Sequence, residues 1–384
     1  MLLIKNGIIN DAINEQEYVS DILIDKGKII KIQKGIKELS EYDIVDASKK
    51  YIYPGFVEAH SHIGLDGFAI VYVGQDYNEY HDIITPQLRA IDGINPMDKA
   101  FQLAAEAGIT SVSTGPGSSN VLGGTFTAIK TVGTRVDDMV IKESVAMKCA
   151  FGENPKVAYQ NDAITSRMTI AAKLRETLYR AEEYKFKKEL AGNDKSKWPP
   201  FDIKLEALIP VLNREIPLKA HAHQANDIFT AIRIAKEFNL KLTLEHVAEG
   251  PLIVNELVKE NIPLAIGPSL IFPNKFEIHN LSIKTPGILA NAGCQVSIIT
   301  DSAVIPQWYL PLCAALAVKD GMKEFAALKA ITINPAKHIG IEDRVGSIEV
   351  GKDADIIITN GNPFEIGTKI EQVFINGVRV EKVA

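Results

Sequence analysis

Two histidines separated by one serine, His60 and His62, follow the apolar run and Pro-Gly turn of "PGFVEAHSH", residues 54–62. The chain has only eight histidines. In an extended strand, residues two apart project to the same side, so this pair is expected to hold two imidazoles over one point. Neutral imidazoles and carboxylates are ligands of zinc, iron and manganese. Three more residues share the setting: His221 closes "IPLKAH", His246 closes "LTLEH" and Asp301 closes "VSIITD". A single strand-end histidine is more often a hydrogen-bonded bystander. Four of them and an aspartate, each at the carboxyl end of a strand, point instead to a metal site, because an α/β barrel gathers those ends at one mouth.

The elements that would position them alternate along the middle of the chain. "GITSVSTGPG" reads as a strand after the helical "MDKAFQLAAEA". "VIKESVAMKCAFGE" is a strand before the amphipathic "SRMTIAAKLRETLYRAEEYKFKKEL". "IPLKAHAHQ", "LKLTLEHVAEG", "IPLAIGP" and "CQVSIITD" continue the series. The pattern predicts a (β/α)8 TIM-type barrel over residues 53–344, with its third strand, in "GGTFTAIKTVG", the most weakly marked. Both ends of the chain carry β-branched residues around Asn-Gly and Lys-Gly turns. Residues 1–52 plus 345–384 are therefore expected to form a small β-sandwich domain from the two termini. The lysine-rich "KKELAGNDKSKWPPF" reads as a solvated connection.

Composition narrows the function. Of 384 residues, 46% are hydrophobic and 23% charged, as in soluble globular proteins. A net charge of −6 gives no electrostatic case for nucleic-acid or anionic-membrane partners. Cys149, Cys294 and Cys313 are few and odd in number, which argues against a disulfide framework and fits a reducing cytosol. The start "MLLIKNGIINDAINEQ" lacks the pattern of a signal peptide, and no stretch approaches the roughly 18 apolar residues of a membrane span. A cytoplasmic enzyme with a small-molecule substrate is the expectation.

Taken together, "PGFVEAHSH", the strand-end His221 and His246, Asp301 in "IITDSA" and the tail "VGSIEVGKDADIIITNGNP" resemble the amidohydrolase superfamily. The similarity lies toward its imidazolonepropionases, isoaspartyl dipeptidases and dihydroorotases. It implies one or two divalent metal ions, zinc or else iron or manganese. His60 and His62 would hold the more buried ion, with Asp301 as a further ligand and proton shuttle. In binuclear members His221 and His246 would hold a second ion, and a carboxylated lysine or a glutamate would bridge the two. "AMKCAFGENP" offers both Lys148 and Glu153. Lys148 has a setting that resembles the bridging lysine of isoaspartyl dipeptidases. Burial among Val145, Ala146, Met147 and Cys149 would lower its pKa and favour the amine that reacts with carbon dioxide. Glu153 would supply a ready carboxylate, as in the acetylglucosamine-phosphate deacetylases.

Other residues take lesser roles. His223 shares the face of His221 by parity and is expected either to contact substrate or stabilise the transition state, or else to be structural. His81 and Arg89, in the long loop after the first strand, are candidate substrate contacts. Arg167 opens a later helix and is either a surface residue or a contact for an acidic substrate. His279 and His338 lie away from strand ends and are read as structural. The glycine-rich "STGPGSSNVLGGTFTAIKT" lacks the Gly-Lys-Ser/Thr ending of a nucleotide loop. Its N–H groups are expected to line the mouth and to hold a substrate carboxylate.

The expected reaction is hydrolysis of an amide-type C–N bond, in a cyclic amide, an N-acyl group or a dipeptide. A metal-activated hydroxide would attack, with Asp301 as acid and base. One rival is deamination of a heterocycle; deaminases of this superfamily place a glutamate shortly after the fifth-strand histidine, and "HAHQAND" has none. The other is a non-catalytic scaffold on the same fold, whose known examples lose metal ligands. Homo-oligomers are common in such families, though no feature here fixes a subunit number.

Overall fold

In the computed structural model, which describes residues 1–68, 71–161 and 164–382, eight strands are arranged side by side as a TIM-type barrel. They are β1 (Phe56–Ser61), β2 (Ile109–Thr114), β3 (Leu122–Lys130), β4 (Val140–Ala150), β5 (Leu218–Ala222), β6 (Leu242–His246), β7 (Leu264–Ile266) and β8 (Val296–Ile298). Between β8 and β1, His62 N–H donates to Ser302 O at 2.6 Å and Thr300 Oγ1 donates to Glu58 Oε2 at 2.8 Å.

Every residue of β5 and β6 is buried, as expected where helices cover the outside and side chains fill the inside. Alternation sorts them. Leu218, Ala220 and Ala222 pack with Ile228, Ala231, Ile232 and Ala235 of the helix Ala225–Glu237, whose apolar residues recur at helical spacing. Lys219, His221 and His223 consequently face the interior. The helix Arg167–Ala191 starts where Ser166 Oγ accepts from Thr169 N–H, and it buries Ile170, Leu174, Leu178 and Ala181.

One strand departs from the expected pattern. β3 pairs antiparallel with both β2 and β4, while every other pairing in the barrel is parallel. A parallel return needs a dozen or more residues, and only residues 115–121 separate β2 from β3. The chain therefore turns back at the mouth and reaches the foot of the barrel before β4 rises again.

The terminal strands join in one hydrogen-bonded sheet. Its seam is the strand Tyr51–Pro54, parallel to Leu2–Ile9 and antiparallel to Ile356–Thr359. Ile4, Ile22, Ile52, Ile356, Ile358 and Phe374 share its core. Lys130 of β3 ties this sheet to the barrel, with Nζ 2.6 Å from Asp355 and 3.0 Å from Asp353. Among the described residues, no helix is long and apolar enough to cross a membrane.

Candidate metal centre

His60 and His62 leave β1 on one side, as their spacing predicts. Both turn Nε2 toward Asp301 Oδ1, at 3.5 and 3.3 Å. Their other ring nitrogens are engaged, His60 Nδ1 with Glu245 Oε2 at 2.9 Å and His62 Nδ1 with the Gly115 carbonyl at 2.7 Å. Such partners fix the tautomer and leave the Nε2 lone pair for the pocket.

The backbone at Asp301 has φ 53° and at His246 φ 77°, left-handed values that non-glycine residues seldom adopt. At His246 this ends the alternation of β6, so two sequence neighbours serve one pocket. Glu245 holds His60, while the His246 ring lies 5.1 Å from that of His60 and 4.5 Å from that of His221. His246 Nδ1 lies 2.7 Å from the Gly267 carbonyl. A Cβ on Gly267, where φ is +147°, would sit 2.1 Å from Ile299 O, so only glycine can present that carbonyl. His221 Nδ1 is 2.9 Å from Ser118 Oγ and its Nε2 is 3.0 Å from Glu277 Oε1. His223 stacks on His246 with ring centroids 4.8 Å apart.

Two groups of donors result. His60, His62 and Asp301 form one, and His221, His223 and His246 the other. In each, one donor atom per residue lies within 4.8 Å of the others. Burial holds His60, His221 and His223 well below the ordinary histidine range and pushes His246 down to about 4. Those four imidazoles, of His60, His221, His223 and His246, are therefore neutral, the form that binds metal. Asp301 Oδ1 and His223 Nδ1 are buried without a hydrogen-bond partner, which is costly unless something else meets them. These residues fit a divalent cation.

Lys148 points into the same pocket. It is fully buried, with Nζ 3.2 Å from His60 Nε2, and burial pushes its ammonium down to about 8. Glu153 has a different engagement. Its Oε2 accepts from Glu277 N–H at 2.8 Å, and its own N–H donates to Glu277 Oε2 at 2.8 Å. This reciprocal pair fastens the loop after β4 to the loop after β7.

Beneath the pocket lies a charged layer that no motif marked. Glu245 receives His60, Lys219 Nζ at 2.8 Å and His338 Nε2 at 2.9 Å, all buried. His338 is thus part of the support of the centre rather than a bystander remote from the barrel strands. Fully buried Glu58 accepts from Gln307 Nε2 at 2.8 Å, and burial pushes its carboxyl up to about 8. Parity alone could have flagged Glu58, two before His60, and Lys219, two before His221. Glu277, in the single 3-10 turn Phe276–Ile278, and His338, on the helix Ile333–His338, carry no such signal.

The remaining candidates lie elsewhere. His81 and Arg89 line a neighbouring cavity under the loop after β1. Arg89 pairs there with Asp92 at 3.3 Å and Glu143 at 3.2 Å. Arg167 is held by Asp227 at 3.0 Å, and His279 is exposed beside Asn280. In the glycine-rich loop, Gly117 N–H donates to Tyr77 O at 2.7 Å and Ser119 N–H to Asn78 Oδ1 at 3.2 Å. Those amides are committed within the protein and do not await a carboxylate.

Residues 51–380 match the model of the amidohydrolase family. The structure is similar to that of an amidohydrolase from Thermotoga maritima, with a TM-score of 0.96, 39% identity and 100% of both chains covered. Amidohydrolase tasK of Hapsidospora irregularis is 27% identical over 94% of this chain and 40% of its own length. Adenine deaminase 1 of Latilactobacillus sakei is 21% identical over 95% of this chain and 55% of its own. The chain thus spans about half the length of these curated relatives.

Proposed function

The chain belongs to the amidohydrolase family, and from that premise we propose that it hydrolyses an amide-type C–N bond at the barrel mouth. The scissile bond would be that of a cyclic amide, an N-acyl group or a dipeptide. The supporting observation is the convergence of His60, His62, His221, His246 and Asp301, from four strand ends, on one pocket. His60, His62 and Asp301 would hold one divalent ion, zinc, iron or manganese. His221 and His246 would hold a second, with carboxylated Lys148 between them. When bound, such an ion supplies Lewis acidity, making water acidic near neutral pH and polarising a carbonyl.

The protein's own groups do the rest. Asp301 accepts the proton of the attacking water and returns it to the departing nitrogen. His223 lines the mouth cavity and donates a hydrogen bond to the substrate oxygen as it gains charge. The free cysteines Cys149, Cys294 and Cys313 fit a reducing cytoplasm.

The test is a pair of variants assayed for metal content and for amine release. Asp301→Asn and His223→Ala should each retain at least one metal equivalent while losing about 10²–10⁴-fold in turnover. Undiminished turnover in Asp301→Asn overturns the role of Asp301. Deamination is the second reading, favoured by the similarity to an adenine deaminase. Faster ammonia release from adenine than from any amide would select it.

A further inference from the structure

The charges around the mouth bear on what enters it. This cavity, of about 500 Å³, has one formal cation on its described wall, Lys275. That ammonium is already matched, 2.6 Å from Glu277 Oε1 and 2.8 Å from Asn154 Oδ1. Among the described residues no arginine lines the cavity, and the amides of Gly117 and Ser119 donate to Tyr77 and Asn78. Carboxylates, in contrast, are present: Glu153 and Asp301 line the wall, and Glu277 stands behind His221.

The rest of the wall is neutral. Tyr77, Tyr80 and Asn274 offer hydrogen bonds, while Val157, Ile271 and Val304 offer apolar surface. Tyr77 brings a phenol, both hydrogen-bond donor and acceptor, to this wall. Its ring lies 5.1 Å from that of His62, next to the reacting centre. A substrate carboxylate held away from the scissile bond would find no unmatched counter-charge here, which is unfavourable wherever it is desolvated.

We infer that the site takes an uncharged substrate: a neutral amide, urea or carbamate with an apolar substituent. Substrates bearing a carboxylate, such as free dipeptides and N-acyl amino acids, are discriminated against. This rests on the reading of the mouth as a C–N hydrolase site and narrows the bonds considered there.

A matched pair tests it. N-acetyl-leucinamide and N-acetyl-leucine differ only in the charge of the carboxyl end, and acetate release from each gives kcat/KM. The neutral member should be preferred by about tenfold or more, the worth of one charged contact. Equal or faster hydrolysis of the acid overturns the inference. Should neither be hydrolysed, the N-acyl reading fails, and calorimetric binding of the same pair still decides the charge preference. Asn274→Arg adds a cation to the exposed rim and should move the ratio toward the acid by about tenfold. A ratio that does not move counts equally against the inference.

Discussion

Lys148 Nζ lies 3.2 Å from His60 Nε2, although the two residues are 88 apart in sequence. The lysine is fully buried, and burial pushes its ammonium down to about 8, so an appreciable share is free amine near neutral pH. Such an amine can add carbon dioxide. The N–C bond forms, the nitrogen loses its proton, and a carbamate replaces the ammonium. Protein prepared in ¹³C-bicarbonate with divalent metal should show a carbamate carbon signal that is absent in Lys148→Ala. That variant should also bind metal about 10–100-fold more weakly. Full metal content and turnover in Lys148→Ala would contradict the assignment.

Glu153 offers the complementary control. Its carboxylate is bound to the Glu277 backbone rather than turned to the imidazoles. Glu153→Gln should therefore keep its metal content and lose about 1 kcal/mol of stability from the weakened loop clasp, read by chemical denaturation. Loss of metal in this variant would return Glu153 to the centre.

Glu245 connects the pocket to the layer below. Its replacement by glutamine weakens the hold on His60 Nδ1 and leaves Lys219 buried without a counter-charge. Glu245→Gln should lower metal affinity by about 10–100-fold in chelator competition. It should also reduce stability by about 3–5 kcal/mol. An unchanged affinity would mean that His60 needs no such support.

Part of the acid sensitivity should arise where the terminal sheet meets the barrel. Burial alone would raise the pKa of Asp353, yet Arg344, Lys130 and Lys28 more than offset it and lower it from 3.8 to about 2. A carboxyl depressed in the folded state stabilises the protein above its unfolded pKa, and that contribution is lost as pH falls from about 4 toward 2. The shift corresponds to about 2 kcal/mol. Asp353→Asn should melt at a lower temperature at pH 7 and show a flatter decline between pH 4 and 2. A decline as steep as the parent's would assign the acid sensitivity to other groups.

Much of the centre was legible because strand alternation is a simple rule. It placed His60 with His62 and set His221 and His223 inward. It could not place Glu245 and His246 together, since their cooperation depends on a φ of +77° that ends the alternation. Nor could it reveal His338, which reaches Glu245 from a helix across 93 residues. The direction of β3 was readable in principle from the brevity of residues 115–121, but the repeated strand–helix pattern around it argued for a parallel course. Arg89 shows the opposite limit. Its place on a loop near the mouth said nothing of Asp92 and Glu143, the partners that hold it outside.

The reversed course of β3 divides the rim into parts with different freedom to evolve. Residues 115–121 form a short sill anchored at both ends in the sheet, and it keeps Ser118 against His221. Length added there would pull on two strands at once. Residues 79–97 and 269–276 lie in the longer connections after β1 and β7 and can grow, shrink or change chemistry while the barrel stays as it is. New specificities in this lineage should therefore be written into those two stretches, with the sill as their fixed point of reference.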